Sequence, residues 1–140
     1  MSKIFFDTNV FIYLFEDYEP FSTMVDKFWR RMIARGDKLV TSTMTLGELL
    51  VKPSKLGAAS QVEEYDRVIR SRAQVIPFDT SVAWRYASLR ATHSLRNADA
   101  IQLACAANFG VDLFITNDKQ LHALNVPGIG FIAPLDKVPL

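Results

Sequence analysis

A chain of 140 residues with 49% hydrophobic content is the size of one domain, and at that length folding buries roughly 68–70% of the unfolded surface. Such a core needs no staple, and the single cysteine, Cys105, excludes an internal disulfide, which fits a reducing, cytoplasmic setting. A formal net charge of +1 carries no polybasic signature, and no stretch reaches the ~20 apolar residues of a membrane span.

Residues 3–7 read as a strand ending on Asp7. Residues 8–17 read as a helix with Phe11, Leu14 and Phe15 on an aromatic-rich face. The apolar run 4–15 is interrupted by Asp7, Thr8 and Asn9, and no small-residue cleavage site follows, so it is not a signal peptide. Pro20 suits the first turn of the next helix. There Phe21, Met24, Val25, Phe28, Trp29, Met32 and Ile33 keep the i, i+3, i+4, i+7 spacing, and Gly36 is the stop. Residues 38–42 form a second strand and 43–51 a short helix ended by Pro53. A further helix spans 54–72, with Gly57 near its start. Residues 74–79 are a third strand, 80–93 a helix and 95–97 a link. Ala98, Ile101, Cys105 and Phe109 recur at helical spacing and predict a helix that stops at Gly110, with Cys105 as a buried, inert thiol. Residues 111–116 suit a strand covered on both faces. A short helix over 119–124, a turn at Val126-Pro127-Gly128 and a last strand over 129–133 complete the pattern.

Strands that alternate with helices predict an α/β fold. It is a single domain over residues 1–140, with a mainly parallel central sheet between two helical layers and right-handed crossovers. Such sheets place their sites beyond the carboxyl ends of the strands, where strand order reverses.

Four acids occupy corresponding places. Asp7 closes the first strand, Glu48 lies in the helix after the second, Asp99 opens the later long helix, and Asp118 follows the fourth strand. Each has a structural alternative. Asp7 and Asp118 suit helix N-caps, Asp99 suits the positive end of its helix, and Thr45 with Glu48 matches a capping box. Gathered on one edge, however, four carboxylates repel and their pKa values rise unless a cation compensates them. With no His or Cys at ligand spacing, an all-oxygen set points to Mg²⁺ or Mn²⁺, and such a site suits phosphoryl chemistry. Thr8, Asn9, Thr116 and Asn117 are placed either to orient the acids or to make local turn bonds. Glu16, Asp17 and Glu19 cluster after the first helix, with Arg30, Arg31, Arg35 and Lys38 beyond them. Arg67, Arg70, Arg72, Arg85, Arg90 and Arg96 populate the second half, as solvating charge or as a basic rim around an acidic centre. No P-loop, dinucleotide fingerprint or Ser-His-Asp arrangement is present, and neither His93 nor His122 has a ligand partner at motif spacing.

Asp7-Thr8-Asn9-Val10-Phe11-Ile12-Tyr13 resembles the opening of PIN domains, and Thr45-Leu46-Gly47-Glu48-Leu49-Leu50 resembles their second acidic motif. The stretches from Arg96 to Ala104 and from Leu113 to Asp118 resemble the third and fourth. The resemblance spans nearly the whole chain with all four acids in order, and the size is similar to VapC-type toxins of toxin–antitoxin modules. It implies a three-layer α/β/α PIN-like fold and a metal-dependent endoribonuclease. Asp7, Glu48, Asp99 and Asp118 would be catalytic and would hold Mg²⁺ or Mn²⁺, with Thr116 as the small hydroxyl residue beside the last acid. Leu121 departs from the Phe that many relatives carry, which affects local packing alone. The resemblance further implies an RNA substrate, a cognate antitoxin and a homodimer, with Arg90 and Arg96 as phosphate contacts. Phe11, Phe15, Phe28 and Trp29 either face a groove for an antitoxin segment or fill the core.

Other readings are a stand-alone PIN nuclease without an antitoxin, a non-catalytic α/β interaction module, and a haloacid-dehalogenase-like phosphatase. The last needs an Asp two positions after Asp7, where this chain has Asn9.

Overall fold

A computed structural model of the chain describes residues 1–138. Among them, one sheet holds β1 (Lys3–Phe6), β2 (Lys38–Ser42), β3 (Gln74–Ile76), β4 (Val111–Ile115) and β5 (Ile129–Ala133). Its order is β3-β2-β1-β4-β5 and every pairing is parallel. The helices are α1 (Thr8–Glu16), α2 (Phe21–Arg35), α3 (Thr43–Lys55), α4 (Ala59–Arg72), α5 (Thr80–Thr92) and α6 (Asn97–Phe109), with short 3-10 turns at Lys119–Leu121 and Leu135–Lys137. None of the described helices is long and apolar enough to cross a membrane.

The central strands β1, β2 and β4 are largely apolar on both sides because the sheet is covered there on both sides. Ile4 and Phe6 of β1 point to one face with Leu39, Leu113 and Ile115, where Val10 and Phe11 of α1, Val25, Phe28 and Met32 of α2 and Ile69 of α4 meet them. Phe5 points to the other, with Val40 and Phe114, against Val82 and Leu89 of α5 and Leu103 and Cys105 of α6. That is the period-two alternation of a strand read out on two cores. Phe5 and Phe114 stack across the central pair with ring centroids 4.9 Å apart.

Several element ends differ from expectation. α3 continues through Pro53 to Lys55; the proline, buried in the last turns, forgoes one helical hydrogen bond without ending the helix. The stop comes at Gly57, in the left-handed region at φ +67°, so α4 starts at Ala59. β3 ends at Ile76 because Pro77 has no N–H for a ladder, and Asp79 instead caps α5 through the Val82 N–H at 3.0 Å. The helix expected over 119–124 is a single turn. In α6 the expected apolar face is not the most buried one. Ala98, Ile101 and Phe109 are half-buried, while Asp99 to Ala107 are otherwise enclosed. Cys105 is enclosed as expected, and burial pushes its thiol up to about 12.

Candidate active site

Strand order reverses between β1 and β4: β2 and β3 extend the sheet on one side of that pair and β5 on the other. In parallel sheets the crevice at such a reversal is the natural place for a site. Asp7 follows β1 there and Asp118 follows β4, while α3 and α6 bring Glu48 and Asp99 from either flank. All four carboxylates line one cleft of about 290 Å³, together with Thr8, Asn9, Gln102 and Arg96.

Asp7 is the most enclosed, at 6% exposure. It caps α1 by accepting the Thr8 N–H at 2.8 Å. Thr116 Oγ1 donates to its other oxygen at 2.7 Å, and Gln102 Nε2 lies 3.2 Å from the first. Burial nonetheless raises its pKa. The Thr116 and Thr8 bonds work against that rise, and the nearby charges of Asp99 and Glu48 add to it. An ionised Asp7 therefore lacks positive compensation, as a carboxylate awaiting a cation does.

Glu48 accepts a hydrogen bond from Thr8 Oγ1 at 2.7 Å. The capping-box alternative does not hold: Ser42 caps α3 by accepting the Thr45 N–H at 3.2 Å, which leaves Glu48 turned to the cleft. Asp99 lies in the first turn of α6, while Asp118 also caps the turn after it through the Gln120 N–H at 3.1 Å. Arg96 ties these two together, Nε donating to Asp99 at 2.8 Å and Nη2 to Asp118 at 2.6 Å, and the pairing holds the guanidinium charged. Among the described residues no group of three acids, His or Cys stands close enough to form a ready-made metal cage. The donor set fits a hard cation in charge and in chemistry.

A family model described as PIN domain matches residues 4–126. The chain belongs to the PIN-domain family. Ribonuclease VapC23 of Mycobacterium tuberculosis is 29% identical to it over 119 residues, which cover 84% of this chain and 94% of that protein. A toxin-antitoxin complex from Klebsiella pneumoniae is similar at a TM-score of 0.64 and 25% identity, over 90% of this chain and 94% of that one. A VapBC2 structure from Rickettsia felis, bound to a promoter DNA fragment, reaches a TM-score of 0.70 over 94% of this chain and 98% of that one. At 17% identity it speaks for the fold alone.

Within this PIN domain the supporting residues divide. Thr8 and Thr116 touch the acids directly. Asn9 reaches Thr116 Oγ1 at 3.2 Å and accepts the Asn117 N–H at 3.3 Å, so it acts through its neighbours. The Asn117 side chain turns away, to Tyr13 and the Leu135 N–H. Arg96 lines the cleft, but Arg90 does not; it rests on the Tyr86 ring and bonds Tyr86 and Asn97. Gln102 carries a role that the pattern of acids gave no reason to assign. Fully buried, it bonds Ser42, Thr45 at 2.6 Å and Thr8 at 3.1 Å, besides Asp7. Its position one helical turn after Asp99 was the available signal.

Phe11 and Phe28 are core residues at 1% and 6% exposure, not groove residues. Phe15 does line a groove of about 380 Å³, with Leu49, Leu56 and Tyr65; it adjoins the acidic cleft through Ile12 and Glu48. Trp29 is half-buried against Phe6 and beneath Arg72.

Proposed function

We propose that this PIN domain is a divalent-metal-dependent endoribonuclease, the toxin of a toxin–antitoxin pair. The observation that carries the reading is the meeting of four carboxylates in one cleft at the strand-order reversal of a PIN fold. Its similarity to a protein named as a ribonuclease and to a toxin-antitoxin complex supports it.

Asp7, Glu48, Asp99 and Asp118 would hold Mg²⁺ or Mn²⁺. When bound, the cation supplies Lewis acidity, which makes water a better nucleophile and offsets phosphate charge. The remaining work belongs to the side chains. Thr116 holds Asp7 and Thr8 holds Glu48, and Gln102 ties Thr8, Ser42 and Thr45 to α6. Asp7 and Glu48 would be bases for a proton leaving water. Arg96, which lines the cleft, would meet the phosphate, and Arg90, bonded to Asn97 at the start of α6, would be a second phosphate contact. In the net reaction a water oxygen bonds phosphorus, one phosphodiester P–O bond breaks, and the leaving ribose oxygen takes a proton.

An antitoxin segment would seat in the groove beside the cleft, whose lining mixes Phe15, Leu49 and Leu56 with Glu16, Lys52 and Gln61, and the active unit would be a homodimer. A small antitoxin gene immediately upstream would separate this reading from that of a stand-alone PIN nuclease.

The test is cleavage of a labelled RNA pool by purified protein with Mg²⁺, Mn²⁺ or EDTA. Cleavage should need the metal and fall by at least ~100-fold in Asp7→Asn or Asp99→Asn, a loss of the size expected when a group central to the chemistry is removed. Wild-type rates in either variant at saturating Mg²⁺ would overturn the catalytic assignment.

A further inference from the structure

The guanidinium of Arg96 stands where charge compensation is needed. It binds Asp99 with one nitrogen and Asp118 with another, joining the first turn of α6 to the segment that leaves β4. The two carboxylates are 11% and 17% exposed, whereas the Arg96 side chain is 70% exposed. The acids are covered, and their cover faces solvent.

We propose that Arg96 is a tethered counter-ion that competes with the divalent cation for Asp99 and Asp118, and so sets the affinity of the site. The proposal rests on the metal-dependent reading above. Two features of the pairing make it a competitor rather than a permanent lock. Exposed ion pairs are individually weak, so a doubly charged ion can displace one. A guanidinium released at the cleft mouth also keeps its planar fork, which suits a phosphate as well as a carboxylate. Arg96 therefore keeps the two acids compensated while the cation is away. It is a positioning residue for them, acting through its bonds to both.

The measurement is Mn²⁺ binding without RNA, by electron paramagnetic resonance, to wild type, Arg96→Gln and Arg96→Lys. The glutamine variant should bind roughly two- to fivefold more tightly, the inverse of what an exposed pair contributes. The lysine variant should fall between, keeping the charge but losing the fork. In a parallel Mg²⁺ titration of ¹⁵N-labelled wild type, the Arg96 Nε–H resonance should move with the same midpoint as cation binding. Equal or weaker Mn²⁺ binding by Arg96→Gln, or an unmoved Nε–H signal, overturns the competition and leaves the metal reading standing. Absence of Mn²⁺ binding in all three proteins overturns both. Because Arg96 is exposed, the variants should fold as wild type does, and circular dichroism checks this.

Discussion

Asp7 pays for its position in the cleft. Its folded pKa is raised, chiefly by burial, so between the ordinary carboxylate range and the raised value the folded state binds more protons than the unfolded one. Stability then falls as pH rises through that window. Asp7→Asn removes the titration. Without metal, the variant's Tm should exceed that of wild type at neutral pH, and the gap should close as pH falls below the usual carboxylate range. Mn²⁺ should raise the wild-type Tm and close the gap from the other side. A gap independent of pH, read by calorimetry, would show that the buried charge is not its source. Gln102 makes the complementary case. Gln102→Leu leaves the buried hydroxyls of Ser42 and Thr45 short of a partner and should destabilise by about 1–3 kcal/mol, measured by urea unfolding. Neither effect is visible in a list of acids, because each depends on which donor faces which oxygen.

At the scale of elements, the packing of β5 depends on close backbone approach. β5 completes the sheet beside β4, and the turn before it runs against α6. A Cβ added at Gly128 would lie 2.5 Å from the Ala107 carbonyl oxygen, and the residue sits at φ +98°. One added at Gly130 would lie 2.4 Å from that of Asp112. Both contacts are with backbone, which cannot swing aside. Gly128→Ala should therefore cost more than about 1 kcal/mol. Gly36→Ala, also left-handed but with open space around its would-be Cβ, should cost less. Comparable midpoints for the two in urea would remove steric approach as the reason for Gly128. The alanines of α6 belong to the same theme. Ala100, Ala104, Ala106 and Ala107 are buried, and their small size lets one helix be enclosed on almost every side while it carries Asp99 and Gln102 to the cleft. A helix packed all round shows little periodicity, which is why the apolar stripe expected from Ala98, Ile101, Cys105 and Phe109 is not the buried one.

Across the whole molecule, the arrangement concentrates negative charge at one crevice of a chain that is almost neutral overall. Among the basic side chains Arg96 lines that crevice and Arg90 bonds Asn97 at the start of α6; the others are spread along the chain, not in one polybasic tract. RNA held by so few cations should bind with a shallow dependence on salt. A log–log slope steeper than about −4 in a filter-binding titration would point to a basic surface larger than Arg90 and Arg96. The proposed homodimer would add a second set of these residues. Light scattering at micromolar concentration should give twice the monomer mass, and a monomer mass would remove the dimer from the reading.

The sequence by itself determined the alternation of strands and helices, the parallel α/β class and the order of the four acidic motifs. These are local properties: strand and helix periods are written in neighbouring residues, and three of the acids lie at an element's end, with Glu48 inside α3. Tertiary structure decided what depends on residues far apart in the chain. It sent Phe11 and Phe28 into the core and left Phe15 on a groove, turned Glu48 from a cap toward Thr8, and kept Asn117 and Arg90 off the acids. It also drew Gln102 from α6 into a bond network with β2 and the starts of α1 and α3, and closed Arg96 over Asp99 and Asp118. A side chain's partner is set by where the sheet brings other segments, and no periodicity in its own neighbourhood records that.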